Sequence, residues 1–134
     1  IYLRYREGTI MIYSDKAFSG FSVDNIEKAK DFYADTLGLE VIQTEMGLKL
    51  NIGNGIFIYQ KDDHQPATYT VLNFPTDNTD LAVEELNSKG ITFEHYPEMT
   101  DEKGIARGLE YNRGPNIAWF KDPAGNVLSI LQDA

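Results

Sequence analysis

The chain repeats itself. Phe21-Ser-Val-Asp24-Asn25-Ile-Glu27-Lys-Ala29-Lys-Asp31 recurs 53 residues later as Phe74-Pro-Thr-Asp77-Asn78-Thr-Asp80-Leu-Ala82-Val-Glu84, with Phe, Asp, Asn and Ala identical and two acids exchanged for acids. A second pair follows in the same order. Gly53-Asn54 with Ile58 and Gln60 matches Gly125-Asn126 with Ile130 and Gln132 at a spacing of 72. Two matches in one order imply a tandem duplication, its second copy longer by 19 residues, the difference between the spacings. Whatever one copy forms, the other must form too.

Each copy reads the same way physically. The alternating run Phe18–Val23 suits a strand with Phe21 and Val23 on its buried face. Asp24 is placed to cap a helix, with Glu27 three residues on as in a capping box, and Ile26, Ala29, Phe32, Tyr33 and Leu37 follow at helical spacing up to Gly38. In the second copy Asp77 and Asp80 take the capping positions, Ala82, Val83 and Leu86 the apolar stripe, and Gly90 the stop. The spacing predicts helices near Asn25–Leu37 and Thr79–Lys89. Strands are predicted over Leu39–Thr44, Leu48–Ile52 and Ile56–Gln60, then over Thr92–Tyr96, Asn116–Phe120 and Val127–Leu131. The extra residues of the second copy fall in Pro97–Pro115, a stretch suited to a lid or binding loop, the alternative being a disordered insertion. The fold class is therefore α+β, two tandem β-α-β-β-β modules, about 12–61 and about 67–132, in one domain of 134 residues. One such module has a marginal core; two can share one.

Composition narrows the partners. Twelve Lys+Arg against 21 Asp+Glu give a net charge of −9, which disfavours nucleic acid and anionic lipid as partners. The chain has no cysteine, so disulfides, thiolate metal sites and cysteine nucleophiles are excluded. No apolar run approaches the roughly 20 residues that span a bilayer. The expected compartment is the cytoplasm. Residues 1–10 precede Met11 and are given no functional role; an upstream extension is one reading of them and a mature N-terminus the other.

Paired β-α-β-β-β modules resemble the vicinal-oxygen-chelate superfamily of glyoxalase I, extradiol dioxygenases and bleomycin-resistance binding proteins. Phe21 to Val41, with Phe32-Tyr33 and Leu37-Gly38, is similar to its first-helix signature, and Phe120-Lys-Asp122-Pro123-Ala-Gly125-Asn126 to its closing turn. The resemblance implies four strand positions that carry His or Glu ligands to one divalent metal in metal-dependent members. Here they fall at Phe18, Val71, Phe57 and Ser129, none a good donor, so it implies no metal and no cofactor for this chain. His64 and His95 lie elsewhere and are assigned surface or hydrogen-bonding roles.

Strand alternation collects a candidate ligand-binding surface on the sheet faces away from the helices: Phe18, Ser22, Phe57, Tyr59, Tyr69, Val71, Asn73, Ser129 and Leu131, with Trp119 as a further candidate. The alternative is that these side chains fill the old metal cavity as a second core. Arg107 and Arg113 in the long loop are candidates for holding an anion, or are simply solvated. No catalytic residue is assigned. The expected function is metal-independent binding of a small aromatic or cationic compound by a homodimer. The alternatives are a lyase, isomerase or dioxygenase using groups such as Tyr59 or Tyr69, and a non-catalytic dimerisation or regulatory module.

Overall fold

The computed structural model describes residues 12–134, so the extension considered at residues 1–10 lies outside the described residues. Two four-stranded sheets follow each other along the chain. The first holds β1 (Ser19–Val23), β2 (Val41–Thr44), β3 (Gly47–Leu50) and β4 (Ile56–Gln60). The second holds β5 (Thr70–Pro75), β6 (Ile105–Arg107), β7 (Asn116–Lys121) and β8 (Val127–Gln132). Helix α1 (Ile26–Lys30), which widens into a π-helical stretch over Asp31–Thr36, and helix α2 (Thr79–Ser88) each follow the first strand of a sheet. The strand orders β1-β4-β3-β2 and β5-β8-β7-β6 are one pattern used twice. In both sheets the first strand runs parallel to the last and the other pairings are antiparallel. This is the α+β fold of two β-α-β-β-β modules that the repeat predicts.

The repeated residues do matched work. Asn25 Oδ1 accepts from the Lys28 amide and Asn78 Oδ1 from the Leu81 amide, both at 3.0 Å. The caps are therefore Asn25 and Asn78, one residue after the expected Asp24 and Asp77. The repeated glutamines explain the shift. Gln60 Oε1 accepts from the Ile26 amide at 2.9 Å and Gln132 Oε1 from the Thr79 amide at 3.0 Å. Each helix thus has an early orphan donor satisfied from the last strand of its own module, which fixes where the helix begins. Glu27 and Asp80, freed from a capping box, bond instead to the second strand of their module: Glu27 accepts from Gln43 at 3.3 Å, and Asp80 receives Arg107. Asn25→Ala is expected to cost about 1 kcal/mol and Asp24→Ala less than about 0.5 kcal/mol, measured by urea unfolding; the reverse order would return the cap to Asp24.

Phe21, Val23, Tyr33, Leu48 and Ile58 of the first module join Val83, Phe93, Phe120, Leu128 and Ile130 of the second in one buried cluster. The joint is specific. The Phe32 ring lies 6.5 Å from that of Phe120. The fully buried Tyr33 donates its hydroxyl to Asp122 Oδ2 at 2.8 Å. Burial first, and the Asp122 carboxylate second, hold the Tyr33 phenol far above the ordinary tyrosine range, so it stays a donor. His64, between the modules, bridges Ser22 Oγ at 2.7 Å and the Ala124 carbonyl at 3.1 Å. A carbonyl only accepts, which assigns the ring proton to Nε2. His95 is exposed.

One expected strand is corrected. Thr92–Tyr96 is no strand; it touches β7 through a single bridge, Phe93 to Phe120, and the Glu94 amide to the Trp119 carbonyl. The rest of that β7 edge, Asn116–Ala118, is paired by β6, which arises inside the stretch expected to be a loop. Two segments share one strand edge, so neither takes all of it.

Candidate functional site

Helices cover one face of each sheet, and the faces they leave free carry the site candidates. On the first sheet, cross-strand register puts Ile42, Lys49, Phe57 and Gly20 in one row, with Tyr59 beside Ser22. Phe57 and Tyr59 stack with ring centroids 5.9 Å apart. Phe18, Ile42 and Tyr59 are 65%, 45% and 38% exposed, a large apolar area for a sheet face.

The second sheet is roofed by the residues the duplication added. Ile117 and Trp119 of β7 alternate with the buried Ala118 and Phe120, so they point away from α2. They form one wall of a cavity of about 610 Å³, whose other walls are Glu98–Asp101, Ile105–Gly108, Tyr111, Arg113 and Pro115. This volume lies within the usual range for small-molecule sites. Trp119 is held edge-on by Tyr96, ring centroids 5.5 Å apart. Tyr96 is fixed in turn, because its amide donates to Thr100 Oγ1 at 2.9 Å.

The turn Gly108–Pro115 is drawn in tightly at the rim. The Arg113 amide donates to the Gly108 carbonyl at 2.9 Å, and the Leu109 amide to Asn116 Oδ1 at 3.1 Å. Asn112 and Gly114 take positive φ, 54° and 119°, on either side of Arg113. At Gly108 a Cβ would sit 2.4 Å from the Pro115 carbonyl oxygen and 2.7 Å from that of Gly114, so only glycine allows the turn to close.

The nine residues singled out by alternation and the further candidate Trp119 do not gather in one cavity. Trp119 lines the large one. Phe18 and Phe57 line a small one of about 160 Å³ with Lys49. Ser22, Tyr59, Tyr69 and Val71 line a third, of about 390 Å³, at the seam between β1 and β5. The buried Ser129 donates to Asn73 Oδ1 at 2.5 Å, and Leu131 lies across from Ile117. Sequence reasoning missed Tyr96, Met99, Thr100, Tyr111 and Ile117. The 19-residue length difference marked the region of Met99, Thr100 and Tyr111, but the chain alone did not tie them to Trp119.

Arg107, one of the two arginines proposed for an anion, is already engaged. Its Nη1 and Nη2 donate to the two Asp80 oxygens at 2.7 and 2.8 Å, and its Nε to Asp101 Oδ2 at 2.9 Å. This fork ties the cavity wall to α2. The hydrogen bond from Arg107 holds the Asp80 carboxyl down at about 2. At Asp101, burial alone would raise the pKa, but the Ile105 amide, Arg107 and the Lys103 amide together bring it below the usual carboxylate range. A group depressed on folding stabilises the fold above its unfolded pKa, roughly 3.9, and that contribution disappears as pH falls through the folded value. Wild type is expected to lose stability between about pH 4 and pH 2 more steeply than Asp80→Asn in acid-unfolding curves. Parallel curves would remove the fork from the account.

The residues do not fit the divalent metal that the fold family implies. Phe18, Val71 and Phe57 offer no donor, and the Ser129 hydroxyl is committed to Asn73. Among the described residues no three His, Asp or Glu side chains converge on a common point.

Residues 18–130 match the sequence model of the Glyoxalase/Bleomycin resistance protein/Dioxygenase superfamily. The chain belongs to this superfamily. A superfamily member from Sphaerobacter thermophilus is 25% identical over 92% of this chain and 100% of its own, with a TM-score of 0.66. A glyoxalase family protein from Bacillus anthracis is 20% identical over 93% and 98%, TM-score 0.65. TnmS3, an antibiotic binding protein from a Streptomyces species, is 22% identical over 93% and 99%, TM-score 0.64. The last two likenesses establish shared fold. No curated protein matches the chain. Within the described residues no helix is long and apolar enough to cross a membrane.

Proposed function

We propose that this superfamily member is a metal-independent binding protein that sequesters a small aromatic or cationic organic compound. In this reading residues 12–61 and 67–132 are the modules of one domain, and the protein works in the cytoplasm as a homodimer. The observation that carries the proposal is the open cavity faced by Trp119, Ile117, Met99 and Tyr111. A planar ring laid on Trp119 would bury apolar area on both faces, and an indole held from behind by Tyr96 keeps its orientation when the ligand arrives. The net charge of −9 would draw a cationic compound at long range, and the Trp119 face would hold one by cation–π contact. The missing donors at Phe18, Phe57, Val71 and Ser129 favour binding over Lewis-acid chemistry. TnmS3, with the same fold, is an antibiotic binding protein, which gives the proposal a precedent.

The free face of the first sheet supports the dimer. Phe18, Ile42 and Tyr59, beside the half-buried Phe57, form an apolar surface that no other described residue covers, and a second copy would bury it by two-fold pairing. Light scattering should give about twice 15.2 kDa; a mass near 15.2 kDa at tens of micromolar would contradict the dimer. The binding itself is tested by thermal shift on chelator-treated protein with a library of planar aromatics. A stabiliser at about 100 times its Kd should add about 2.7 kcal/mol. Trp119→Ala is expected to weaken that ligand by about 10- to 30-fold without a matching loss of fold stability. A library without a stabiliser, or binding that appears only with added divalent metal, would defeat the proposal.

A further inference from the structure

We infer that Arg113 selects an anionic substituent on the bound aromatic, so that the preferred ligand is an aromatic acid such as a carboxylate, sulfonate or phenolate. This rests on the cavity beside Trp119 being an aromatic binding site, and takes the aromatic rather than the cationic branch of that reading. With 21 acids against 12 bases, carboxylates without a basic partner are expected in this chain, so Glu98, which lines the same cavity with no ion pair among the described residues, says little about a ligand. An arginine without a carboxylate is the informative case in such a chain. Arg107, on the same wall, is saturated by Asp80 and Asp101, whereas Arg113 makes no ion pair among the described residues. The Arg113 backbone is held in place, with its exposed side chain at the mouth of the cavity. It sits between two residues of positive φ in the turn that Gly108 closes, on the rim of the cavity that Trp119 backs. From that rim the free guanidinium can offer an oxyanion a two-pronged donor while the ring lies on the indole.

The test uses three probes with one ring system: naphthalene-1-sulfonate, naphthalen-1-ylmethanol and naphthalen-1-ylmethylammonium. The chain has a single tryptophan, so the Trp119 indole N–H gives one resolved NMR signal whose shift reports occupancy of this cavity. In wild type the sulfonate should bind about five- to tenfold more tightly than the alcohol, and Arg113→Gln should remove that advantage while leaving the alcohol unchanged. Lys28→Gln makes the same change in net charge on α1, away from the residues that line this cavity, and should keep the advantage. A sulfonate no tighter than the alcohol, an advantage that survives Arg113→Gln, or an ammonium probe that binds tightest overturns the assignment of Arg113 while the aromatic site stands. A Trp119 signal that moves with none of the three overturns both.

Discussion

Asp122→Ala is expected to destabilise the chain by about 3–5 kcal/mol, measured by urea unfolding, the largest effect of any single polar substitution here. The Asp122 side chain is 5% exposed and accepts four hydrogen bonds. Oδ2 receives the Tyr33 hydroxyl at 2.8 Å and Asn126 Nδ2 at 3.0 Å; Oδ1 receives the Ala124 amide at 3.0 Å and the Asn126 amide at 2.9 Å. Truncation leaves the fully buried Tyr33 hydroxyl with no acceptor and loosens the turn before β8. Asn126 Nδ2 also reaches the Ser22 carbonyl at 2.9 Å, so the damage spreads to β1. Tyr33→Phe removes one donor and leaves Asp122 three, and should cost only about 1–2 kcal/mol. A cost below about 1.5 kcal/mol for Asp122→Ala, or equal costs for the two, would mean that this network is not what joins the modules.

Gly108→Ala should cost about 2–4 kcal/mol and weaken any cavity ligand in parallel. The reason is contact, not conformation. Gly108 has an ordinary helical φ of −62°, which alanine adopts freely, but a methyl group there meets two backbone oxygens at 2.4 and 2.7 Å. The turn must open, and it carries Tyr111 and Arg113 away from Trp119. A variant with near wild-type stability and ligand affinity would show that this turn does not shape the cavity.

How much of this was legible follows from which interactions are local. The repeat fixed both modules, both helices and their order, because apolar periodicity and capping residues act over a few positions. The caps were misplaced by one residue because Asp-Asn offers two good capping side chains in a row. The choice was made by Gln60 and Gln132, which lie 34 and 53 residues from the amides they bind. Strand β6 was hidden because Ile105-Ala106-Arg107 is three residues between two glycines, too short for a period to register. Ile91 and Phe93 alternate into the core and imitate a strand, though β7 has little edge left to offer them. For the site, alternation assigned the free faces of the strands. It did not say whether those faces meet, since that depends on the joint between modules, where Tyr33 finds Asp122 at a separation of 89 residues and His64 finds Ala124 at 60.

The central claim is that a small aromatic ligand lies on Trp119 beneath the turn Gly108–Pro115. The most direct measurement is an amide and indole chemical-shift map of the full chain titrated with naphthalen-1-ylmethanol. The account predicts the largest shifts at the Trp119 indole, Ile117, Gly108 and Tyr111, with the first sheet little changed. Shifts centred on Phe18, Phe57 and Tyr59, or none anywhere at millimolar probe, would contradict it.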